Sequence, residues 1–335
     1  MGEFLSSPKQ KKYTSHGENS ILKYAVCSMQ GWRRTMEDSH LVALDLGANK
    51  DTHIFGVFDG HGGIEVAEYV KNHFVEIFIN NSKYLKEDIK SALKETFLTL
   101  DNNLQSVEAM KELTHSHEIF VKTYNLNDNE NNNGNNNDID NSEYIDNIAY
   151  NIGCTCNILV IYKNILYFAN AGDSRSVLLK NKGEVNSMSI DHKPELPNEF
   201  SRIKKAGGRI IEGRVNGLLN LSRSIGDFQF KNRKDLKQEE QIVTCNPDVL
   251  FENRSENDDF VIMGCDGIWE CITNTGISEY IYDKENNIND NNNNKNKELN
   301  LEKILEDLFE RNIAKSEDEE KGCDNMTAIL IQFKK

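Results

Sequence analysis

No stretch of this 335-residue chain is apolar for long enough to span a bilayer, and no secretory core follows its first residues. Positive balance is missing too: 39 Lys and Arg stand against 54 Asp and Glu, a net charge of -15. Nucleic acid is therefore not expected as a partner, because phosphate backbones are gripped by clustered Lys and Arg that release counterions. The seven cysteines, odd in number and scattered through apolar segments, do not form a disulfide framework. Cys154 and Cys156 share a strand face, but no second thiol or histidine pair accompanies them at zinc spacing, so they read as small buried hydrophobes. The compartment expected is reducing and cytoplasmic, with the nucleus left open.

Hydrophobic residues are also scarce, at 38%. Two asparagine-rich tracts dilute them, at about 125–147 and 284–300, and neither offers a periodic apolar face that would offset the entropy of ordering. Both read as disordered insertions in surface loops. Without them the chain divides into an N-terminal arm, residues 1–22, and one domain over 23–335. The arm opens with MGEFLS, which fits the pattern for N-myristoylation at Gly2. Lys9, Lys11 and Lys12 supply the second, electrostatic signal that peripheral membrane association needs.

What is present beyond Tyr24 is an alternation of periods. YAVCSM, HLVALDL and HIFGVF read as strands, followed by helical spacing over Ile64–Ile79 and again over Ile89–Leu104. CNILVIY, ILYFANA and SVLLK follow with hairpin spacing and no helix between them, so they are expected antiparallel. Glu199–Ala206 reads as a helix stopped by Gly207-Gly208. DFVIMG, the amphipathic LNLEKILEDLFERNI and MTAILIQF close the chain. The class is α+β, with antiparallel strands as the core and paired helices covering it.

The chemistry lies where the apolar runs end. Asp59-Gly60 closes HIFGVF, Asp266-Gly267 closes FVIMG, Glu37-Asp38 precedes HLVALDL, and Asp324-Asn325 precedes MTAILIQF. Singly, each is a turn or cap signal. If they converge, their mutual repulsion demands cations, and hard oxygen donors select Mg²⁺ or Mn²⁺ over zinc.

RRTMED, FDGHGG, AGDSR, DHKPELPNEFSRIKKAGGRI, RVNGLLNLSRSIGD, MGCDGIWE and GCDNMTAI occur in this order. Together they resemble the type 2C (PPM) family of metal-dependent protein phosphatases, from about Tyr24 to the C-terminus. The fold this implies is a β-sandwich of two antiparallel sheets flanked by pairs of antiparallel helices, a four-layer αββα arrangement. The activity it implies is hydrolysis of phosphoserine and phosphothreonine in proteins, by in-line attack of a hydroxide bridging two divalent ions; a monomer is expected. By the same resemblance Asp59 bridges the ions with the Gly60 carbonyl beside it, Glu37 completes one ion, and Asp266 and Asp324 the other. Asp38 orients bound water, Asp173 and Glu270 hold a weaker third ion, Arg33 binds the phosphate, and His61 is the general acid. The family usually has aspartate where Glu270 stands. Thr155 aligns with a threonine near the ions, and Arg202–Phe230 with a mobile flap.

Three rivals remain at this level, one of them a phosphodiesterase or nuclease using the same ions, which the acidic surface and a single phosphate-clamping arginine oppose. Cys27 and Arg33 spell the C-x5-R of a cysteine phosphatase, though in a strand and without a glycine-rich cradle. A catalytically silent scaffold that binds a phosphorylated or regulatory partner is the third, disfavoured by the complete set of ligand-type residues.

Overall fold

The computed structural model describes residues 4–126, 147–290 and 298–335. In chain order its strands are β1 (Phe4–Glu18), β2 (Leu22–Arg33), β3 (Ser39–Leu46), β4 (Thr52–Phe58), β5 (Gly60–His61), β6 (Gly153–Cys154), β7 (Cys156–Tyr162), β8 (Ile165–Ala171), β9 (Arg175–Lys180), β10 (Glu184–Ser187), β11 (Ile210–Ile211), β12 (Arg214–Val215), β13 (Ile225–Gly226), β14 (Asp248–Asn253), β15 (Asp258–Gly264) and β16 (Met326–Phe333). The helices are α1 (Glu65–Ile79), α2 (Ile89–Asn103), α3 (Val107–Tyr124), α4 (Pro197–Lys205), α5 (Asp266–Trp269), α6 (Asn274–Asp290) and α7 (Leu301–Asn312).

Two antiparallel sheets face each other, one ordered β1-β2-β16-β15-β9-β10 and the other β14-β8-β7-β4-β3. The period of two explains why both faces of the second sheet are apolar. On β4, Ile54 and Phe58 join the core beneath α1 and α2. Phe55 and Val57 turn the other way and join the core shared with β2, β15 and β16. Tyr24 of β2 meets Phe55 edge to face across that interface, at 5.7 Å between ring centroids. Helices α6 and α7 cover the other sheet with Ile277, Ile281, Leu305 and Leu308. The result is the four-layer αββα sandwich expected. Each large side chain buried in this way contributes about 1.5–3 kcal/mol through the water it sheds.

The expected helical stripes are real: Val66, Val70, Phe74 and Phe78 of α1, and Ile89, Leu93, Phe97 and Leu100 of α2, are buried. Asp88 caps α2 by accepting from the Ser91 N–H at 3.2 Å. Helix α4 ends as its glycines require, with Gly207 at φ +91° and the Gly208 N–H donating to the Ile203 carbonyl at 2.8 Å.

Three expectations need correction. Residues 4–18 are not an arm: they form β1, paired with β2 from Phe4↔Arg33 to Glu18↔Lys23. Its sequence lacks apolar alternation because it is an edge strand held by its backbone ladder, and Pro8 lies where the register shifts. Lys12 is bound to Glu310 at 2.9 Å, and Lys9 and Lys11 lie over the rings of Tyr124 and Tyr13. Gly2 lies outside the described residues. Second, a third helix, α3, follows α2. Ser106 caps it at the Ala109 N–H, but only Ala109, Leu113 and Phe120 are buried, too sparse a stripe to show in the sequence. Third, the tract placed at 284–300 is not wholly an insertion. Helix α6 runs to Asp290, and Asn300 caps α7 by accepting from the Lys303 N–H at 2.9 Å. Residues 127–146 of the first tract and 291–297 of the second lie outside the described residues.

Candidate active site

The carboxylates converge because every strand that carries one ends at the same rim of the sandwich. Arg33 is the last residue of β2, Asp59 follows β4, Asp173 follows β8, Asp266 follows β15, and Asp324 precedes β16, which runs antiparallel to β2 and β15. A cavity of about 810 Å³ opens there, lined by Arg33, Glu37, Asp59, Gly60, His61, Asp173, Asp266, Glu270 and Asp324. Carboxylate oxygens of Asp59, Asp173 and Asp266 lie within 4.8 Å of one another. Asp38 is buried behind them, close to Asp59 and Cys265.

Two glycines make this approach possible. A Cβ on Gly60 would strike the Glu37 carbonyl oxygen, and one on Gly267 would strike that of Asn325. Asn325 stitches the loops together: its Oδ1 accepts from the Glu37 N–H at 2.9 Å, and its amide donates to the Gln30 and Thr35 carbonyls at 2.8 and 2.9 Å. Thr155 clamps Asp59. Its Oγ1 accepts from the Asp59 N–H at 3.1 Å, and its own N–H donates to the Asp59 carbonyl at 2.8 Å.

Crowding like charges in a buried place should raise their proton affinity, and it does. Burial, then Asp266 and Asp38, push the Asp59 pKa well above the ordinary aspartate range. Burial and Asp173 do the same to Asp266. Asp38 is raised to about 7, chiefly by burial, with Thr327 and Cys265 hydrogen bonds opposing and the Asp324 charge adding. Its Oδ2 is a buried acceptor without a partner. These residues fit hard divalent cations: several oxygen donors, too few positive charges, and an acceptor left unsatisfied. Cys265 does not belong to such a set, because burial holds its thiol protonated and its Sγ lies 3.5 Å from the Asn325 carbonyl.

Other predicted residues sit somewhat apart from the closest group. Glu37 already accepts from Thr35 Oγ1 at 2.6 Å and from the Gly63 N–H at 3.0 Å. Arg33 Nη2 donates to Asp324 Oδ2 at 2.5 Å, while its buried Nε has no partner among the described residues. Glu270 lines the cavity with a pKa raised by burial and by Asp324.

Three site residues escaped the sequence reading. Asp227 lies at the end of LSRSIGD and holds His61 Nε2 at 2.7 Å. Burial alone would lower the His61 pKa, but the Asp227 charge and hydrogen bond outweigh it and raise the value. Gly153 must be glycine here, since a Cβ would meet both Asp227 and His61. Lys193, inside DHKPELP, pairs with Asp173. Asn325 was visible only as the neighbour of Asp324. Cys27 falls out of consideration: it is fully buried in β2, and burial pushes its thiol up to about 12.

A family model described as Protein phosphatase 2C matches residues 22–123 and 111–319. The "Probable protein phosphatase 2C 3" of Paramecium tetraurelia is 41% identical over 335 residues, covering all of both chains. The "Probable protein phosphatase 2C 21" of Arabidopsis thaliana is 37% identical over 345 residues, covering all of this chain and 93% of that one. Among solved structures, a phosphatase from Toxoplasma gondii superimposes with a TM-score of 0.70 at 22% identity, covering 96% of each chain. That last likeness is one of fold.

Proposed function

The chain belongs to the protein phosphatase 2C family, and we propose that it hydrolyses phosphoserine and phosphothreonine in proteins with Mg²⁺ or Mn²⁺ as cofactor. The observation that carries this reading is the meeting of Asp59, Asp173 and Asp266 within 4.8 Å in a cavity that also holds Arg33. Two ions held by Glu37, Asp59, the Gly60 carbonyl, Asp266 and Asp324 would activate water for attack at phosphorus and neutralise the phosphate oxygens.

The chain's own groups do the rest. Arg33 is fixed at one end by Asp324, which leaves its planar guanidinium directed at the cavity to bind phosphate oxygens. Asp38, buried behind Asp59, accepts from bound water with its free Oδ2 and so orients it. His61 Nε2 pairs with Asp227 at 2.7 Å, whose charge and hydrogen bond favour the protonated imidazole, and its Nδ1 makes no hydrogen bond among the described residues. That is the arrangement of a general acid, ready to protonate the departing serine or threonine oxygen.

The test is dephosphorylation of a phosphothreonine peptide with Mn²⁺ or Mg²⁺ supplied or chelated, for wild type, Asp59→Ala and Asp266→Ala. Turnover should require the ion and collapse in both variants. Metal-independent turnover would overturn the reading, and folded, ion-loaded wild type without turnover would favour the scaffold.

A further inference from the structure

The corner of the cluster that would take a third cation is already occupied by one that the chain supplies. Lys193 Nζ donates to Asp173 Oδ2, and Asp173 is 2% exposed. The ammonium is delivered from a fixed base. On one side of it, the His192 N–H donates to the Gly172 carbonyl at 2.9 Å, and His192 Nδ1 accepts from the Gly172 N–H at 3.2 Å. Before that, Asp191 forms a two-point pair with Arg175, at 3.0 and 2.6 Å. Residues 191 and 192 are thus locked against the β8–β9 connection that carries Asp173. The stem of Lys193 is partly exposed, so its head has a route back to solvent.

We propose that the Lys193 ammonium is a tethered counter-cation, which holds the Asp173 corner in the metal-free protein and must leave it before a weaker, third divalent ion binds between Asp173, Asp266 and Glu270. This rests on the metal-dependent reading above. The physical reason is competition for one carboxylate. Asp173 cannot give the same oxygen to Lys193 and to an ion, and two cations in one buried corner repel. The Lys193 charge also acts on Asp266 and Glu270, lowering the proton affinity of both. The corner therefore stays folded without metal, and its affinity for a third ion is set by how readily one side chain withdraws.

The experiment is a Mn²⁺ titration by calorimetry, with thermal melts in chelator and in saturating Mn²⁺, on wild type, Lys193→Met, Lys193→Arg, Asp173→Asn and the Lys193→Met/Asp173→Asn double variant. Lys193→Met should lower the metal-free melting temperature, enlarge the rise that Mn²⁺ produces, and tighten the weak class of Mn²⁺ sites about tenfold. Lys193→Arg should restore wild-type behaviour, and Asp173→Asn should remove the weak class in either background. If Lys193→Met alone does not fold, the double variant should, because it removes the uncompensated carboxylate together with its partner. A weak class of equal affinity in wild type and Lys193→Met, or its absence from both, would sink the proposal while leaving the two tighter ions untouched. Wild type that binds no Mn²⁺ at all would instead bring down the metal-dependent reading beneath it.

Discussion

Two of the protein's groups of buried charged side chains are built on opposite plans. Around helix α4, Glu199 accepts from Arg202 at 2.5 Å, from Arg223 at 2.6 Å and from Ser222 at 2.7 Å. Arg223 also reaches Asp248 at 2.9 Å, and Asp248 holds His192 at 3.1 Å. Burial alone would raise the Glu199 pKa, but the two arginines bring it down to about 2. In the cavity the same kind of burial acts on Asp59 and Asp266, where most neighbours are other acids, and their proton affinities rise. One network is complete within the chain; the other is complete only with something added. The difference separates a charged cluster that holds the fold from one with the perturbed carboxylates that the proposed chemistry requires.

Neutralising single members should break this comparison most sharply. Asp59→Asn should reduce phosphopeptide turnover on the order of 10³-fold or more, since on the proposed mechanism it removes the carboxylate at the centre of the charge stabilisation. Yet its metal-free melting temperature should equal or exceed that of wild type, because a repulsive charge has gone. Turnover and melting measured on the same preparation check both halves. A variant that is inactive because it is unfolded would contradict this account.

Glu199→Gln should do the reverse. Removing one partner leaves Arg202 buried without its carboxylate and Arg223 with only the part-exposed Asp248, a loss of about 3–5 kcal/mol for pairs of this kind. Denaturant unfolding should show it, while the turnover of the molecules that remain folded stays near wild type. The segment from Arg202 to Phe230 should respond first, because α4 and the small core of Ile203, Val215, Phe230 and Val243 adjoin this network.

Acidity sharpens the contrast, since the two clusters have opposite linkage. A carboxylate with a raised folded pKa keeps its proton in the native state after the unfolded chain has lost it, so stability falls as pH rises through that interval. For Asp38 the interval runs from 3.8 to about 7. Glu199, lowered from 4.5 to about 2, contributes stability above 4.5 that is lost as pH falls towards 2. The metal-free protein should therefore melt highest in mild acid and lose stability towards neutrality. Saturating Mn²⁺ should flatten the neutral limb, because the ions take over the role of the protons. Melting curves from pH 3 to 8, with and without Mn²⁺, decide it; a metal-free optimum at neutral pH would contradict it.

The sequence discloses these two plans unequally. Asp59, Asp266 and Asp324 were legible because each stands at the end of a buried apolar run, where period and turn chemistry together fix its place. The sandwich was legible for the same reason: β4, β7 and β16 are apolar on both faces. Strand β1 was not, because an edge strand draws its order from backbone pairing that leaves no hydrophobic alternation. Helix α3 shows only three buried residues along eighteen. Asp227 and Lys193 act through His61 and Asp173, and Glu199 through Arg223 as well as its helix neighbour Arg202; no local pattern marks the remote pairs. Their motifs were visible, but their partners were not.

The smallest effect concerns the place where the two plans touch. His61 lines the cavity, but its pKa is raised by Asp227, a carboxylate lowered below its usual range because His61, Ser224 and Lys231 outweigh the cost of burial. Asp227→Asn should leave burial to dominate at His61 and bring its pKa down. The protonated form would then be lost at a lower pH, and the alkaline limb of the kcat profile should move in the acid direction. At neutral pH the loss should be about tenfold for a peptide substrate, less than the roughly 10²–10⁴ of a general acid removed outright, because His61 is still present. It should be smaller for an aryl phosphate, whose leaving group scarcely needs a proton. An unchanged alkaline limb would mean that His61 only shapes the loop, and that the proton given to the serine oxygen comes from elsewhere.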